Sequence, residues 1–156
     1  MPMIFYHDEL SLSIDDSVND LFQRYISSYD FRIESGGIII GILNPADNQI
    51  VITDVTEPCI KDKRSPFSYI RSSHGHQEIM DRLWEESNQR KTYLGEWHTH
   101  CQESPIPSKT DIKNWTEISR RSHNSSDLFF IIVGTRTIKI WIAQKGTIKE
   151  MQRIEI

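Results

Sequence analysis

Apolar positions along this chain recur with two different periods, and the switches between them mark its elements. Residues 3–6 (Met-Ile-Phe-Tyr) open with a short apolar run expected to form a strand. From Ile14 to Ile26 the apolar positions Ile14, Val18, Leu21, Phe22, Tyr25 and Ile26 fall three and four apart, which predicts a helix. Ser13 is its expected N-cap, with Asp15 and Asp16 placed to complement the positive end of the helix dipole. Ser35-Gly36-Gly37 then leads into Ile38-Ile39-Ile40-Gly41-Ile42-Leu43, a continuous run that suits a buried central strand. After a turn at 44–48 (Asn-Pro-Ala-Asp-Asn), Gln49 to Thr56 reads as the partner strand of a hairpin.

The pattern then breaks. Glu57 to Ser73 is polar, contains Pro58 and Pro66, and carries Lys61, Lys63 and Arg64; it is expected to be a loop or an insertion with a short strand around Phe67 to Ile70. A helix is expected from about Gly75 to Ser87, where Ile79 pairs with Leu83 and Met80 with Trp84 at four-residue spacing. Thr92 to Trp97 reads as a strand. After a loop containing Pro105 and Pro107, Ser108 is the expected N-cap of a third helix, with Asp111 at its third position and Ile112, Trp115 and Ile118 as the apolar face. Asp127 to Val133 and Thr137 to Ala143 are further strands, and Gly146 begins a last one. The order β-α-β-β-α-β-α-β-β-β predicts an α/β (α+β) fold, a mixed sheet between helices, with residues 1–156 as one domain.

Composition narrows the function classes. With 18 basic against 22 acidic residues the net charge is −4 and no basic stripe appears, which argues against nucleic acid as a partner. Two cysteines, Cys59 and Cys101, make no disulfide framework, so a reducing, cytoplasmic setting is expected. The first ten residues lack a signal-peptide pattern, and no apolar run approaches the roughly 20 residues that span a bilayer. No membrane partner is expected.

The candidate chemistry follows the Thr92–Trp97 strand. Residues two apart on a strand face the same way, so His98 and His100 can reach one point while Thr99 faces the opposite side. Two imidazoles and a carboxylate suit a zinc ion bound at about 2.0–2.2 Å, with the fourth position left for water as in catalytic sites. A His-x-His pair alone arises often by accident. Here it is followed by Ser108 and Asp111 in the longer pattern His-x-His-x(7)-Ser-x-x-Asp, and the capping role of Ser108 puts the Asp111 carboxylate in the first turn of a helix.

With these residues the chain resembles the JAMM (MPN-plus) zinc-dependent isopeptidases. Their fingerprint adds an upstream Glu-x-x-Gly-x-hydrophobic-x-Gly, present here as Glu34-Ser35-Gly36-Gly37-Ile38-Ile39-Ile40-Gly41. The resemblance implies a single MPN-type domain with a curved mixed sheet. It implies one Zn²⁺ held by His98, His100 and Asp111, with Glu34 as the proton shuttle and Ser108 as the oxyanion donor. Cys101 stands where a proline often follows the second histidine, a difference that touches loop shape. The chain looks most like short bacterial members encoded in antiphage CBASS operons. That implies a protein substrate with an extended C-terminal tail: a ubiquitin-like conjugate, or a cyclic-nucleotide synthase joined through its C-terminus to a target.

Other readings stand beside this one. A JAMM peptidase that processes a small sulfur-carrier or ubiquitin-like protein, or a non-catalytic MPN scaffold, would share the fold; the complete ligand set argues against the scaffold. His74 and His76 are one apart but lack a carboxylate at matching spacing for a second metal. A Cys101–His100 nucleophile pair is disfavoured because neighbours on a strand face opposite ways. A zinc deaminase needs Pro-Cys-x-x-Cys, and Pro58-Cys59 is followed by Asp62 where the second cysteine belongs. Glu96 is expected to be structural, Trp97 to be core, Glu103 to be a polar loop residue, and His7 and His123 to be at the surface.

Overall fold

The computed structural model describes residues 3–27, 33–121 and 127–154; His123 lies outside them. Its elements are β1 (Met3–His7), β2 (Leu10–Ile14), α1 (Asp16–Ser27), β3 (Gly36–Asn44), β4 (Gln49–Val55), β5 (Lys63–Ser65), β6 (Ser68–Ile70), α2 (His76–Glu86), β7 (Thr92–Thr99), α3 (Lys109–Arg121), β8 (Leu128–Val133), β9 (Ile138–Gln144), β10 (Thr147–Glu150) and β11 (Gln152–Arg153). Nine strands form one mixed sheet in the order β10-β9-β8-β7-β3-β4-β2-β1-β11, and β5 and β6 form a separate antiparallel pair. No described helix is long and apolar enough to cross a membrane.

β10 and β11 stand at opposite ends of the strand order, yet one residue, Met151, joins them. Met151 N–H still donates to Ile140 O at 2.8 Å, and Ile154 N–H already donates to Ile4 O at 3.0 Å. The sheet therefore curls until its two ends meet, with Met151 buried in the seam. Its inner face gathers Phe5, Leu12, Ile14, Ile39, Ile52, Trp97, Phe129 and Ile131 around Val18 and Phe22 of α1. On the outer face α3 lays Trp115 against Phe130 (ring centroids 4.9 Å apart) and Trp141, and α2 lays Met80 against Ile38 and Ile40. Burial of Trp115 holds α3 on the sheet; Trp115→Ala would cost about 3–5 kcal/mol.

The start of α1 corrects the sequence reading. Ser13 is not an N-cap: it lies in β2, pairing with Ile4 and Val51, and Ile14 is a strand residue with no exposed surface. The helix begins two residues later, where Asp15 O accepts from Val18 and Asn19 N–H. Leu10-Ser-Leu-Ser-Ile14 alternates with period two, and its last apolar residue also fits the helical period of the segment that follows. The polar insertion holds two short strands rather than one.

β7 is the strand that positions the site. Opposite the Ile39–Ile40 step of β3 it carries one extra residue: Ile40 pairs with Tyr93 and Ile39 with Gly95, leaving Leu94 as a bulge. Gly95 occupies it at φ 144°, where a Cβ would collide with the carbonyl of Phe129. Leu94 and Trp97 thereby both enter the inner core, while Tyr93, Glu96 and His98 share the outer face with α3.

Candidate metal centre

The C-terminal end of β7 and the N-terminus of α3 meet at one corner of a cleft of about 820 Å³. The helix start is a reciprocal capping box: Ser108 Oγ accepts from Asp111 N–H at 3.0 Å, and Asp111 Oδ2 accepts from Ser108 N–H at 2.8 Å. That pins the carboxylate above the strand. Asp111 Oδ1 lies 3.4 Å from His98 Nε2, Oδ2 lies 3.2 Å from His100 Nε2, and the two Nε2 atoms are 2.9 Å apart. All three side chains are largely but not completely buried, at 12–17% exposure.

Thr99 faces the other way, as the alternation requires. Its hydroxyl oxygen accepts from Ser35 N–H at 3.0 Å and its own N–H donates to Ser35 O at 2.8 Å. These bonds bring the Glu34–Ser35 segment alongside the histidines, and the Glu34 side chain lines the cleft with His98, His100, Ser108 and Asp111.

Charge follows from this packing. Burial alone would push the Asp111 carboxyl up, but hydrogen bonds from His100 and His98 hold it well below the usual carboxylate range. Burial disfavours the charged form of His100, yet its bonds to Asp111 and Gln102 leave its pKa above the ordinary imidazole value. Burial raises the Glu34 carboxyl; His98 and His100 oppose this, Asp111 adds to it, and the net direction is up. A carboxyl poised above its ordinary value is suited to taking and returning protons.

The donor set fits zinc. Ligands about 2.0–2.1 Å from a tetrahedral centre lie about 3.3 Å from one another, and the three separations here are 2.9, 3.2 and 3.4 Å. Lone-pair atoms gathered so closely need a cation or shared protons between them. The tautomer agrees as well. Gln102 Oε1 accepts from Ile106 N–H at 3.0 Å, which identifies it as the oxygen; it lies 3.2 Å from His100 Nδ1, so Nδ1 donates, and the proton that Nε2 shares with Asp111 is the one a cation would displace to take the Nε2 lone pair. Gln102 was missed in the sequence, where no motif position marks it.

The remaining candidates separate cleanly. His74 is exposed, 4.0 Å from Glu78, while His76 is fully buried and turned elsewhere, so the two do not converge. His76 finds the carboxylate that spacing did not reveal in Asp62, with Nε2 2.7 Å from Oδ2. Strand β7 ends at Thr99, so the alternation argument does not reach Cys101, which lines the cleft. Glu96 bonds Arg71 and Tyr93, Trp97 is core, Glu103 pairs with Arg136 at the surface, and His7, 17% exposed, sits beside Asp8.

Residues 24–152 match the family described as prokaryotic homologs of the JAB domain. Proteins named "CD-NTase/cGAS isopeptidase" are similar to the chain. The one from Escherichia coli is 35% identical over 83% of this chain and 80% of its own length, and the one from Pseudomonas aeruginosa is 29% identical over the same shares. The one from Vibrio cholerae is 30% identical over 78% and 75%. A Desulfitobacterium hafniense protein solved in solution has the same fold, with a TM-score of 0.60 at 14% identity over 89% of this chain and 88% of that one. Alternating strands, bulged histidine strand, capped helix and family match agree: the chain belongs to the prokaryotic JAB-domain family.

Proposed function

We propose that this protein is a zinc-dependent isopeptidase. Its proposed substrate is a cytoplasmic protein conjugate in which an extended C-terminal tail is amide-linked to a target. The convergence of His98, His100 and Asp111 beside Glu34, in one cleft, carries the reading. His98, His100 and Asp111 would hold the ion. When bound, zinc supplies Lewis acidity and lowers the pKa of water toward neutrality.

The chain's own residues do the rest. Glu34 takes the proton from the attacking water and returns it to the leaving amine. The Ser108 hydroxyl accepts from Asp111 N–H and keeps its own hydrogen free to donate to the developing oxyanion. Gln102 keeps His100 in the tautomer that the centre needs.

The hairpin of β5 and β6 supplies the tail's docking edge. Pro66, Phe67 and all three residues of β6 line the cleft, and β6 pairs only with β5 among the described strands. A tail laid along the open side of β6 would pair main chain to main chain and lead its scissile amide to the centre. The similarity to proteins named CD-NTase/cGAS isopeptidase supports a CD-NTase, a cyclic-nucleotide synthase in this reading, as the conjugated protein, and a role in antiphage defence is part of the same proposal. The test is incubation with conjugates made by a cognate ubiquitin-like conjugating system. Release is expected in the presence of zinc and lost with a chelator or in Glu34→Ala; full release by stripped protein or by Glu34→Ala would overturn the reading.

A further inference from the structure

Glu34 precedes the first residue of β3, so the main sheet does not hold its backbone. Its N–H donates to Ser65 O at 2.9 Å, and its carbonyl accepts from Arg64 Nε at 3.0 Å. The same guanidinium reaches one residue further, donating from Nη2 to Ser35 Oγ at 2.6 Å. Both grips come from β5, the inner strand of the hairpin whose outer strand, β6, lines the cleft. Arg64 itself is exposed and does not line the cleft.

The hairpin is tied down at its base by hydrogen bonds. At its base the fully buried Asp62 carboxylate accepts from the amides of Cys59 (2.8 Å) and Ser72 (2.8 Å), which bracket the excursion, and from the hydroxyl of Tyr69 in β6 (2.5 Å). His76 of α2 completes the anchor from Asp62 to Thr56 Oγ1, 2.6 Å away, and the Tyr69 ring occupies the space a side chain at Gly36 would need.

We propose that Arg64 is a positioning residue for Glu34: its planar fork, carried on an anchored hairpin, fixes the carbonyl of Glu34 and the hydroxyl of Ser35 and so aims the Glu34 carboxylate at the reacting water. The inference rests on the proposed role of Glu34. A fork is required because two acceptors on adjacent residues must be met at once, which a lysine ammonium on a flexible stem does poorly. Misplacing a proton-transfer group by about 1 Å costs up to about 100-fold in rate, and the surviving Ser65 and Thr99 bonds limit the loss here.

The experiment compares wild type, Arg64→Ala and Arg64→Lys on one conjugate, with zinc content, melting temperature and exchange of the Glu34 amide followed alongside. In Arg64→Ala, kcat is expected to fall about 10-fold with KM within twofold, since Arg64 is off the cleft. Zinc content should be unchanged, and the Glu34 amide should exchange at least about fivefold faster. Arg64→Lys should recover less than half of the lost kcat. A kcat within twofold of wild type, a change confined to KM, or full rescue by lysine would overturn the proposal. If wild type and Glu34→Ala cleave equally well, the function reading has failed instead; a wild type that needs Glu34 but ignores Arg64 sinks this inference alone.

Discussion

Among the described residues two clusters of metal-ligand side chains come together, and by residue type they are hard to tell apart. His98, His100 and Asp111 form one; Cys59, Asp62 and His76 form the other, and in each the potential donor atoms fall within 4.8 Å of one another. Their hydrogen bonds separate them. In the second cluster Asp62 meets four donors, from Tyr69, His76 and two backbone amides, and His76 spends both ring nitrogens on Asp62 and Thr56. The Asp62 carboxylate and both His76 ring nitrogens are thus engaged by the protein, and the Cys59 thiol points its hydrogen at Glu57 O. In the first, three acceptor-capable atoms face one another. The lesson is that unspent lone pairs, more than proximity, mark a metal centre, while a saturated set of the same residues is a structural rivet.

The sharpest way to break this contrast is to remove one member of each set and measure zinc. His98→Ala is expected to take bound zinc from one per chain to near none and activity down by more than about 10³-fold. Asp62→Asn is expected to retain one zinc. If wild type instead binds two equivalents and Asp62→Asn only one, the rivet is itself a site.

Stability should respond in the opposite sense. Asp62→Ala strands a buried imidazole and two amides, a loss of about 3–5 kcal/mol in a denaturant titration. His98→Ala, in apo protein, should change stability by less than about 1 kcal/mol and can even raise it, because it relieves close contact between two imidazoles. Ser108→Ala tests a residue with both roles: kcat should fall about 10²–10³-fold through the lost oxyanion donor. Helix α3 should lose about 1 kcal/mol through the lost cap.

The rivet should also show itself in pH dependence. Burial would raise the Asp62 carboxyl, but bonds from Tyr69, the Cys59 amide, His76 and the Ser72 amide bring it down to about 2. A carboxyl depressed in the folded state stabilises above its unfolded pKa, about 3.9, and that contribution drains away as pH falls toward 2. Between pH 5 and 2 wild type should therefore lose about 2 kcal/mol more than Asp62→Asn, read from urea midpoints across that range.

The sequence carried the local parts of this contrast and little of the long-range part. The α3 cap was legible because Ser108 and Asp111 are three apart on one turn, and the His-x-His spacing because a strand alternates. The rivet was invisible. Asp62 and His76 are 14 positions apart with the β5–β6 hairpin between them, and nothing in the pattern says that the carboxylate at the hairpin base folds back under a helix. The same holds for Arg64, read only as part of a basic cluster, whose acceptors lie about thirty residues upstream. β2 was missed because five alternating residues run directly into a helical pattern that shares Ile14. β11, two residues long, leaves no periodicity to detect.

Gly95 touches neither the centre nor the cleft, yet it decides which way the histidines look. The extra residue it accommodates changes the phase of everything downstream on β7. Without it, Trp97 would stand in the cleft, and His98 and His100 would point into the packing around Phe22 and Tyr25. A one-residue deletion between Tyr93 and Glu96 would thus turn the strand inside out while leaving His-x-His, Ser and Asp intact in the sequence. A motif search would still score such a chain as complete. Reading frame along the pleat, as much as residue identity, separates an active member of this fold from one that only spells the signature.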